Sequence, residues 1–464
     1  MKIDNKQFLN TAQQTIEDPV LQAAYDKAIP RFNSSRQDAF ALVPDVEELR
    51  RELKAVRAAT IADLGTHLQT FERNAQAAGA VVHWANHAQQ VGQIVLDIAR
   101  RRRAKLIAKS KSMVTEELHL NQVLESAGIK VVETDLGEYI IQLANERPSH
   151  IIGPAIHKTA RQVRELFIEK LHQRVDEDPA ALTDVARHAL REIFINADIG
   201  ISGVNLGVAE TGSVVLVTNE GNGRMVTSLP PVHIAVMGIE RLAPDWGAAA
   251  VWLSLLARAA TGQAMSIYTS VITGPARADD LDGPKEVHII LVDNQRSAQI
   301  GTKYEEILQC IRCGACLAAC PVYGEAGGHA YHSPYSGPIG AVISPLLFGL
   351  ENYPALPQAS SLCGACLEVC PVQIDLPRML LALRVDSVEQ GLVSPPMVAA
   401  EKISARMMKK PGWMQFFFKT GRIGQLMLKL FNISFNGFEN YPMVSRQSFR
   451  DLWKRMEADD DRQR

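Results

Sequence analysis

The chain has 464 residues, and its 49 lysines and arginines nearly balance its 51 aspartates and glutamates, which gives a formal net charge of −2. This balance excludes a general electrostatic attraction to nucleic acid or to an anionic membrane. Hydrophobic residues make up 47% and charged residues 22% of the chain, as in an ordinary globular protein, and the length is enough for two or three domains. The longest apolar stretch, residues 248–257, is too short to span a bilayer.

The N-terminal segment, residues 1–75, is predicted to be helical, because apolar residues such as Phe8, Ala12 and Ile16 recur near the 3.6-residue period. A further helix over residues 85–103 ends in four consecutive arginines, 100–103. Such a cluster can bind phosphate or nucleic acid. We prefer the interpretation that it is a helix C-terminus, where the macrodipole favours cations.

Residues 76–293 are predicted to form an α/β domain with a largely parallel sheet, because short apolar runs alternate with helical segments from about residue 104 onwards. The predicted strands are 105–109, 129–133, 150–153, 214–218, 232–237, 265–273 and 287–292, and the predicted helices are 116–127, 137–143, 158–172, 180–196 and 252–260. The chain has no Gly-x-Gly-x-x-Gly or Walker motif, so a standard nicotinamide or ATP site is not supported.

Within this domain, the β-rich runs 214–218 and 224–227 flank Asn222-Gly223, a signal that predicts a β-hairpin. Glu210, Thr211, Asn222 and Arg224 lie at turn positions. They could bind an anionic small molecule, with Arg224 as the carboxylate or phosphate fork. Alternatively, Glu210 and Arg224 only pair with each other at the ends of the hairpin, and the sequence leaves both interpretations open.

All seven cysteines lie in two segments, Cys310-Ile-Arg-Cys313-Gly-Ala-Cys316-Leu-Ala-Ala-Cys320-Pro and Cys363-Gly-Ala-Cys366-Leu-Glu-Val-Cys370-Pro. The first has the spacing by which bacterial-type ferredoxins hold iron–sulfur clusters. The second repeats this spacing, with Ser360 where its first cysteine would fall. In the ferredoxin pattern the cysteine before the proline ligates the other cluster, because it starts a separate turn.

This spacing predicts two clusters with crossed ligands in a helical, bacterial-ferredoxin-like domain over residues 294–390. Cluster I, a [4Fe-4S] cluster, takes Cys310, Cys313, Cys316 and Cys370. Cluster II takes Cys320, Cys363 and Cys366, and so lacks one protein ligand.

Cluster II is predicted to be a [4Fe-4S] cluster whose fourth ligand is absent, water, Ser360, or another side chain such as His329 or His332. The alternatives are a [3Fe-4S] cluster and an open iron that binds substrate as a Lewis acid. A surface or packing role is preferred for the two histidines. A structural zinc site is disfavoured, because zinc ribbons do not use the Cys-x3-Cys-Pro ending twice.

A cytoplasmic location is expected, because thiolates that hold clusters must stay reduced and no cysteine is left for a disulfide. The first six residues also lack the apolar core of a signal peptide. The C-terminal segment, residues 391–464, mixes basic and aromatic residues and is predicted to be helical. It could dock a partner, cap the cluster domain or make peripheral contact with a membrane, and we favour docking or capping.

The chain also resembles a known family. The segments Ala209-Glu-Thr-Gly-Ser, Gly221-Asn-Gly-Arg and Leu229-Pro-Pro-Val-His-Ile look like the signature of the lactate-utilisation (LUD) domain. The two cysteine segments, with Gly327-Gly-His and Tyr335-Ser-Gly-Pro-Ile-Gly between them, resemble the iron–sulfur subunit of that family, lactate utilisation protein B. The resemblance covers residues 60–450.

This resemblance implies a LUD domain similar in fold to the sugar-isomerase and CoA-transferase α/β group. It also implies an electron carrier in the oxidation of L-lactate to pyruvate, working with a cysteine-rich heterodisulfide-reductase-like subunit and a smaller LUD-domain protein. On this interpretation the chain has no catalytic residue of its own. The alternatives are an oxidoreductase acting directly on a small hydroxy acid and a redox-sensing regulatory subunit. Direct oxidation is the weaker hypothesis, because no flavin or nicotinamide motif is present.

Overall fold

The computed structural model of the chain describes residues 5–148, 153–155, 157–410, 412–413, 416, 420–421, 445, 447 and 449–463. The chain divides into two compact units, residues 1–386 and 387–464. The first unit contains the N-terminal helices, the α/β domain and both cysteine segments. The predicted boundaries between these three parts, near residues 75 and 293, stay predictions.

The N-terminal segment is helical, as predicted. Its helices are α1 (Asn5–Glu17), α2 (Pro19–Ala41), α3 (Val46–Ala62) and α4 (Leu64–Ala77). Asp18 begins α2 by accepting hydrogen bonds from the backbone N–H groups of Val20 and Leu21, and Asp45 caps α3 in the same way. Helix α1 packs against the 321–331 region, and α3 packs against residues 305–309. The N-terminal helices therefore lie against the segments on both sides of the first cysteine loop.

A six-stranded, entirely parallel sheet forms the centre of the first unit, which confirms the predicted α/β class. Its strands are β1 (Val81–Ala85), β2 (Leu106–Lys109), β3 (Lys130–Glu133), β4 (Ile199–Gly203), β7 (Val232–Gly238) and β10 (Glu286–Val292). Their spatial order is β1-β10-β7-β4-β2-β3. Apart from the edge strand β1, the strands are Val- and Ile-rich and almost fully buried, as expected for a parallel sheet covered on both faces. The predictions did not include β1 or β4.

The helices that cover this sheet are α5 (Ala88–Arg102), α6 (Met113–Glu117), α7 (Leu120–Ser126), α8 (Leu136–Ala144), α9 (Ala160–Leu171), α10 (Pro179–Asn196), α11 (Asn222–Ser228) and α12 (Trp246–Thr261). Helix α5 ends in the arginine cluster, which confirms the macrodipole interpretation. The predicted helix 116–127 is broken between α6 and α7, where His119 adopts a left-handed conformation (φ 52°). The predicted strand 150–153 lies mainly outside the described residues.

A second, four-stranded sheet packs beside the first. It consists of β5 (Leu206–Val208), β6 (Ser213–Thr218), β8 (Leu242–Ala243) and β9 (Tyr268–Ile272), in the order β8-β5-β6-β9. Strand β6 pairs antiparallel with β5 and β9. Val214 and Leu216 of this strand join the core around Phe71 and Met237.

The predicted hairpin at Asn222-Gly223 is wrong, because residues 222–228 form helix α11 instead of a strand. Gly221 begins this helix in a left-handed conformation (φ 81°). The helix packs directly on β4 because Gly200 has no side chain: a Cβ there would lie 1.9 Å from the carbonyl oxygen of Val226. In the run 224–227, which resembled a strand, Val226 and Thr227 are buried on the packed side of a short helix.

The cysteine-bearing part consists of short helices and turns. The helices are α13 (Ala315–Ala318), α14 (Pro321–Ala326), α15 (Gly337–Phe348), α16 (Ala365–Glu368) and α17 (Leu376–Glu389), with 3-10 turns at Ser297–Gln299, Glu305–Gln309, His329–Tyr331 and Leu356–Gln358. Helix α15 is almost fully buried.

In the second unit, helix α18 (Pro395–Met408) has no buried residue, and a last helix covers Phe449–Gln463. Most of the basic and aromatic segment between them lies outside the described residues, so its predicted docking or capping role stays a prediction. No helix in the described part of the chain is both long and apolar enough to cross a bilayer.

Candidate functional site

The two cysteine segments fold into matching loops. In each, a glycine with positive φ (79° at Gly314 and 87° at Gly364) begins a one-turn helix, α13 or α16. The last cysteine of each loop follows that helix and precedes a proline. Glycine is required at these two positions because a side chain disfavours this conformation. The sequence repeat is thus a structural repeat.

Ser360 occupies the position that Cys310 has in the first loop. The backbone N–H of Arg312 donates to the sulfur of Cys310 at 3.3 Å, and the N–H of Leu362 donates to Oγ of Ser360 at 3.1 Å. Arg312 and Leu362 also share a left-handed conformation, with φ of 58° and 56°. The hydroxyl therefore stands where the missing thiol would be, as the sequence alignment predicted.

The first group of thiols draws on both loops. Burial raises the pKa of Cys313, and negative charge on Cys370 and Cys310 raises it further. Burial and then charge on Cys313, Cys310 and Cys370 raise the pKa of Cys316, with a smaller effect from Cys366. These mutual effects require the four thiols to be near one another, although Cys370 belongs to the second loop.

The second group consists of Cys320, Cys363 and Cys366. Burial raises the pKa of Cys366 to about 12, and charge on Cys320 and Cys363 contributes to this rise. Burial also raises the pKa of Cys320, with a further contribution from Cys363. These electrostatic effects act mainly within the two sets that the spacing predicts, with a smaller effect of Cys366 on Cys316 between them. The assignment of the two sets as cluster ligands stays a prediction.

The residues present fit iron–sulfur clusters. The donors are thiols, the soft ligands that such clusters use. Backbone N–H groups point at sulfur at three of them: Arg312 toward Cys310 at 3.3 Å, Tyr323 toward Cys320 at 3.4 Å and Ile374 toward Cys370 at 3.4 Å. Hydrogen bonds of this kind tune cluster potentials. No three metal-ligating side chains among the described residues converge closely enough to hold a single metal ion.

Three arginines hold the backbone of the loops. Arg50 donates to the carbonyl oxygens of Glu368 and Cys370, each at 2.7 Å. Arg57 donates to Leu308 and Gln309, and Arg241 donates to Cys310 at 3.0 Å. These hydrogen bonds satisfy the carbonyl groups of the loop backbone and hold that backbone in place.

Arg57 and Arg241 are buried on either side of the boundary between the loops and the α/β domain. Both guanidinium groups lie over the ring of Trp252, at 4.2 and 5.0 Å from its centroid. Burial lowers the pKa of Arg57 to about 9 and that of Arg241 to about 10. Both side chains therefore remain charged at neutral pH.

A second buried charge cluster adjoins the first. Arg296 forms a two-pronged ion pair with Glu117 at 2.7–2.8 Å and contacts Glu240 at 2.7 Å. Tyr335 donates to Glu117 at 2.5 Å, and the guanidinium of Arg312 lies over its ring. Burial alone would raise the pKa of Glu240, but the arginines around it hold that pKa below its usual value. The region beside the first loop thus contains four guanidinium groups, those of Arg57, Arg241, Arg296 and Arg312. It contains two carboxylates, those of Glu117 and Glu240.

A cavity of about 570 Å³ opens at the carboxyl edge of the parallel sheet. Its walls include Ser110 after β2, Gly203 at the end of β4 and Gly238 at the end of β7. Its lining also includes Arg241, Arg296, Arg312, Glu240, Tyr335 and Cys313. The cavity therefore extends from the α/β domain to a thiol of the first loop.

The anion site predicted from Glu210, Thr211, Asn222 and Arg224 is not assembled. Glu210 accepts a hydrogen bond from the N–H of Trp246 at 3.1 Å, and Thr211 bonds to Ser213 at 2.8 Å. Arg224 is exposed, while Asn222 alone of the four lines the cavity. The alternative, an ion pair between Glu210 and Arg224, is absent from the ion pairs of the described residues as well. Both interpretations relied on a hairpin that does not form.

The two candidate histidines make other hydrogen bonds. His332 contacts the hydroxyl of Thr11 at 2.9 Å, and His329 contacts the carbonyl oxygen of Arg147 at 2.9 Å. These contacts agree with the preferred packing role.

The sequence predictions missed the buried arginines and glutamates. Apart from the adjacent pair Glu240 and Arg241, these residues (Arg57, Glu117, Glu240, Arg241 and Arg296) are far apart in the chain, and they form no motif. The only available signal was charge within otherwise apolar helical or strand-end segments, and that signal is weak because most such residues are exposed.

Comparisons with known proteins match both halves. The family model "LUD domain" matches residues 68–292, and the model "4Fe-4S dicluster domain" matches residues 306–374. The chain is 41% identical over 467 residues to "Uncharacterized electron transport protein YkgF" of Escherichia coli (strain K12), covering 99% of this chain and 98% of that protein. It is 40% identical over 469 residues to "Lactate utilization protein B" of Bacillus thuringiensis (strain Al Hakam), covering 98% of each.

A solved structure of a DUF162 family protein from Deinococcus radiodurans is matched over 50% of this chain and 98% of that chain. The sequence identity is 14% and the TM-score is 0.26, a value too low to relate the folds.

Proposed function

Because the chain belongs to the lactate utilisation protein B family, with a LUD domain followed by a 4Fe-4S dicluster domain, we propose that it is the electron-transfer subunit of a system that oxidises L-lactate to pyruvate. The observation that carries this proposal is the grouping of seven free thiols, all but that of Cys363 buried or partly buried, into two sets within one compact unit. One relative is named as an electron transport protein and others for lactate utilisation. Both names agree with an electron carrier.

The residues would hold the clusters as the spacing indicates. Cys310, Cys313, Cys316 and Cys370 hold cluster I, and Cys320, Cys363 and Cys366 hold cluster II. Clusters of this kind supply one-electron transfer when bound. The chain provides thiolates, backbone N–H groups aimed at sulfur, and a cover that limits water at the loops.

The charge around the first loop supports this role. An oxidised four-iron cluster with four thiolates carries negative charge, and reduction adds one more. The excess of buried guanidinium over carboxylate groups offsets that charge, so it favours the reduced state and raises the potential. This is a role that buried arginines can perform without touching a substrate.

The proposal includes two partners. A cysteine-rich heterodisulfide-reductase-like subunit and a smaller LUD-domain protein would carry the lactate chemistry and exchange electrons with this chain. A cytoplasmic location is part of the proposal, because the thiolates need a reducing compartment.

The test is lactate-dependent reduction of the reconstituted chain, followed by EPR under anaerobic conditions. We expect L-lactate to reduce the chain only when both partners are present, and L-lactate with the chain alone to give no reduced-cluster signal. Reduction of the chain by L-lactate without partners would show that this chain is itself the dehydrogenase. A signal that stays absent with both partners present, in a chain that dithionite does reduce, would contradict the proposed carrier role.

A further inference from the structure

The cavity at the carboxyl edge of the sheet lies at the point where the strand order reverses. From β2 the chain moves outward to β3 and then returns to the other side of β2 as β4. Residues directly after β2 (110–114) and at the end of β4 (203–205) line the cavity. In open parallel sheets, ligands bind in the crevice at such a reversal. The volume of about 570 Å³ is also typical of a small-molecule site.

Two polar groups in the cavity wall lack a partner among the described residues. Asn222 is 5% exposed, and its side-chain carbonyl oxygen makes no hydrogen bond. The Nη1 group of Arg312 is buried and makes none either. A buried polar group without a partner costs about 1–3 kcal/mol, so such groups in a cavity wall indicate a ligand that satisfies them.

The two unpartnered groups would bind different functional groups of a ligand. Asn222 offers an acceptor, so it needs a donor such as a hydroxyl group. Arg312 offers a charged donor at Nη1, while its Nη2 faces the carboxylate of Glu240 at 3.6 Å. A charged donor prefers a carboxylate, and Arg241 adds positive charge that no carboxylate of the described residues contacts at hydrogen-bond distance. The apolar side chains of Phe32, Met113 and Leu256 complete the wall and fit a short carbon skeleton. Hydroxycarboxylates combine these features.

We propose that this cavity is a binding site for a small hydroxycarboxylate, held by its carboxylate at Arg312 and by its hydroxyl at Asn222, next to Cys313. The site is distinct from the cluster ligands and requires no redox step on this chain. The choice of L-lactate as the probe rests on the proposed function, while the class of ligand rests on the cavity alone.

Binding would be measured by isothermal titration calorimetry on the full chain after anaerobic reconstitution. The probe is L-lactate, and two analogues each lack one group: propionate has no hydroxyl, and 1,2-propanediol has no carboxylate. We expect saturable binding of L-lactate to one site per chain and at least tenfold weaker binding of both analogues. Equal binding of L-lactate and propionate would overturn the assignment of the hydroxyl to Asn222. No binding of L-lactate would overturn the proposed site.

Two variants test the location. Ala260 lines the cavity on α12, and Ala260→Trp should fill it and weaken L-lactate binding at least tenfold. Ala250 is exposed on the same helix, so Ala250→Trp is the matched control and should leave binding unchanged. Asn222→Leu provides a second, smaller change and should also weaken binding about tenfold. Unchanged binding in both Ala260→Trp and Asn222→Leu would place the ligand elsewhere.

The same preparations separate this inference from the proposed function. Iron content and the EPR signal after dithionite reduction should be the same in wild type, Ala260→Trp and Ala250→Trp. Normal clusters without L-lactate binding would refute the binding site and leave the electron-carrier role intact. Binding of L-lactate by a chain that assembles no clusters would refute the carrier role and leave the site intact.

Discussion

Arg241 links the α/β domain to the first cysteine loop through a single side chain. It donates to the carbonyl oxygens of Cys310 and Asn205, and it is 6% exposed. A buried charge this close to a redox centre should change the energy of adding an electron. Its contribution can be measured as a potential, independently of any enzymatic activity.

Arg241→Gln should lower the reduction potential of cluster I, because loss of a positive charge disfavours the reduced state. A unit charge at roughly 8 Å contributes about 2 kcal/mol at an effective dielectric constant of about 20, which corresponds to a shift on the order of 50–100 mV for one electron. The measurement is an EPR-monitored redox titration. Arg51→Gln, which changes an exposed arginine of α3, is the control and should leave the potential unchanged. Equal potentials in wild type and Arg241→Gln would contradict this electrostatic role.

Ser360 provides a test of the incomplete cluster. Its hydroxyl accepts from Leu362 as the sulfur of Cys310 accepts from Arg312. Ser360→Cys should therefore supply the fourth thiolate and give a fully ligated four-iron cluster II. Mössbauer and EPR spectra with iron analysis would show the change. Spectra and iron content identical to wild type would mean that position 360 does not face the open corner of cluster II.

The two cysteine loops are the elements that define the site, and the predicted exchange of ligands between them is testable. Cys370→Ser should damage cluster I, although Cys370 lies in the second loop, because its thiol is grouped with Cys310, Cys313 and Cys316. Cys366→Ser is the matched variant and should damage cluster II. EPR of the reduced proteins distinguishes the two results, and damage to cluster II alone in Cys370→Ser would refute the crossed arrangement.

Helix α11 depends on a glycine in the neighbouring strand. A Cβ at Gly200 would meet the backbone carbonyl of Val226 at 1.9 Å, and backbone cannot move aside as a flexible side chain can. Gly200→Ala should therefore destabilise the chain by about 3 kcal/mol or more.

Gly65→Ala on α4 is the control, because no atom lies within 4 Å of the added Cβ and alanine favours a helix. This change should be neutral or stabilise the chain by up to about 1 kcal/mol. Chemical denaturation followed by circular dichroism measures both variants. A wild-type midpoint for Gly200→Ala would show that α11 is not packed on β4 in this way.

The same two regions show what the sequence could and could not predict. The cysteine spacing predicted both loops and the serine substitution, because a cluster imposes strict local spacing on its ligands. The prediction of a hairpin at 222–223 was wrong because Asn-Gly can also begin a helix after a glycine in the left-handed conformation. The space above Gly200, which has no side chain, allows the helix to pack there and so favours the helix over the hairpin. The local propensities of these residues do not report on that space, because it is created by tertiary packing.

At the scale of the whole molecule, the N-terminal helices and the α/β domain enclose the cysteine loops. Arg50 and Arg57 reach the loops from α3, about 250–320 residues away in the sequence. A single amino-acid sequence does not indicate which of its distant segments will be in contact. The parallel sheet was predictable from its alternating pattern, whereas the buried charges between the domains required the structure.

The central claim is that seven cysteines hold two iron–sulfur clusters, and one measurement tests this claim most directly. Iron and acid-labile sulfide per chain should be determined after anaerobic reconstitution, with EPR before and after dithionite reduction. Two four-iron clusters predict about eight iron and eight sulfide atoms, with about seven iron atoms if cluster II is the three-iron form, and a signal that changes on reduction. A folded chain that carries zinc, binds no sulfide and gives no reducible signal would contradict the account.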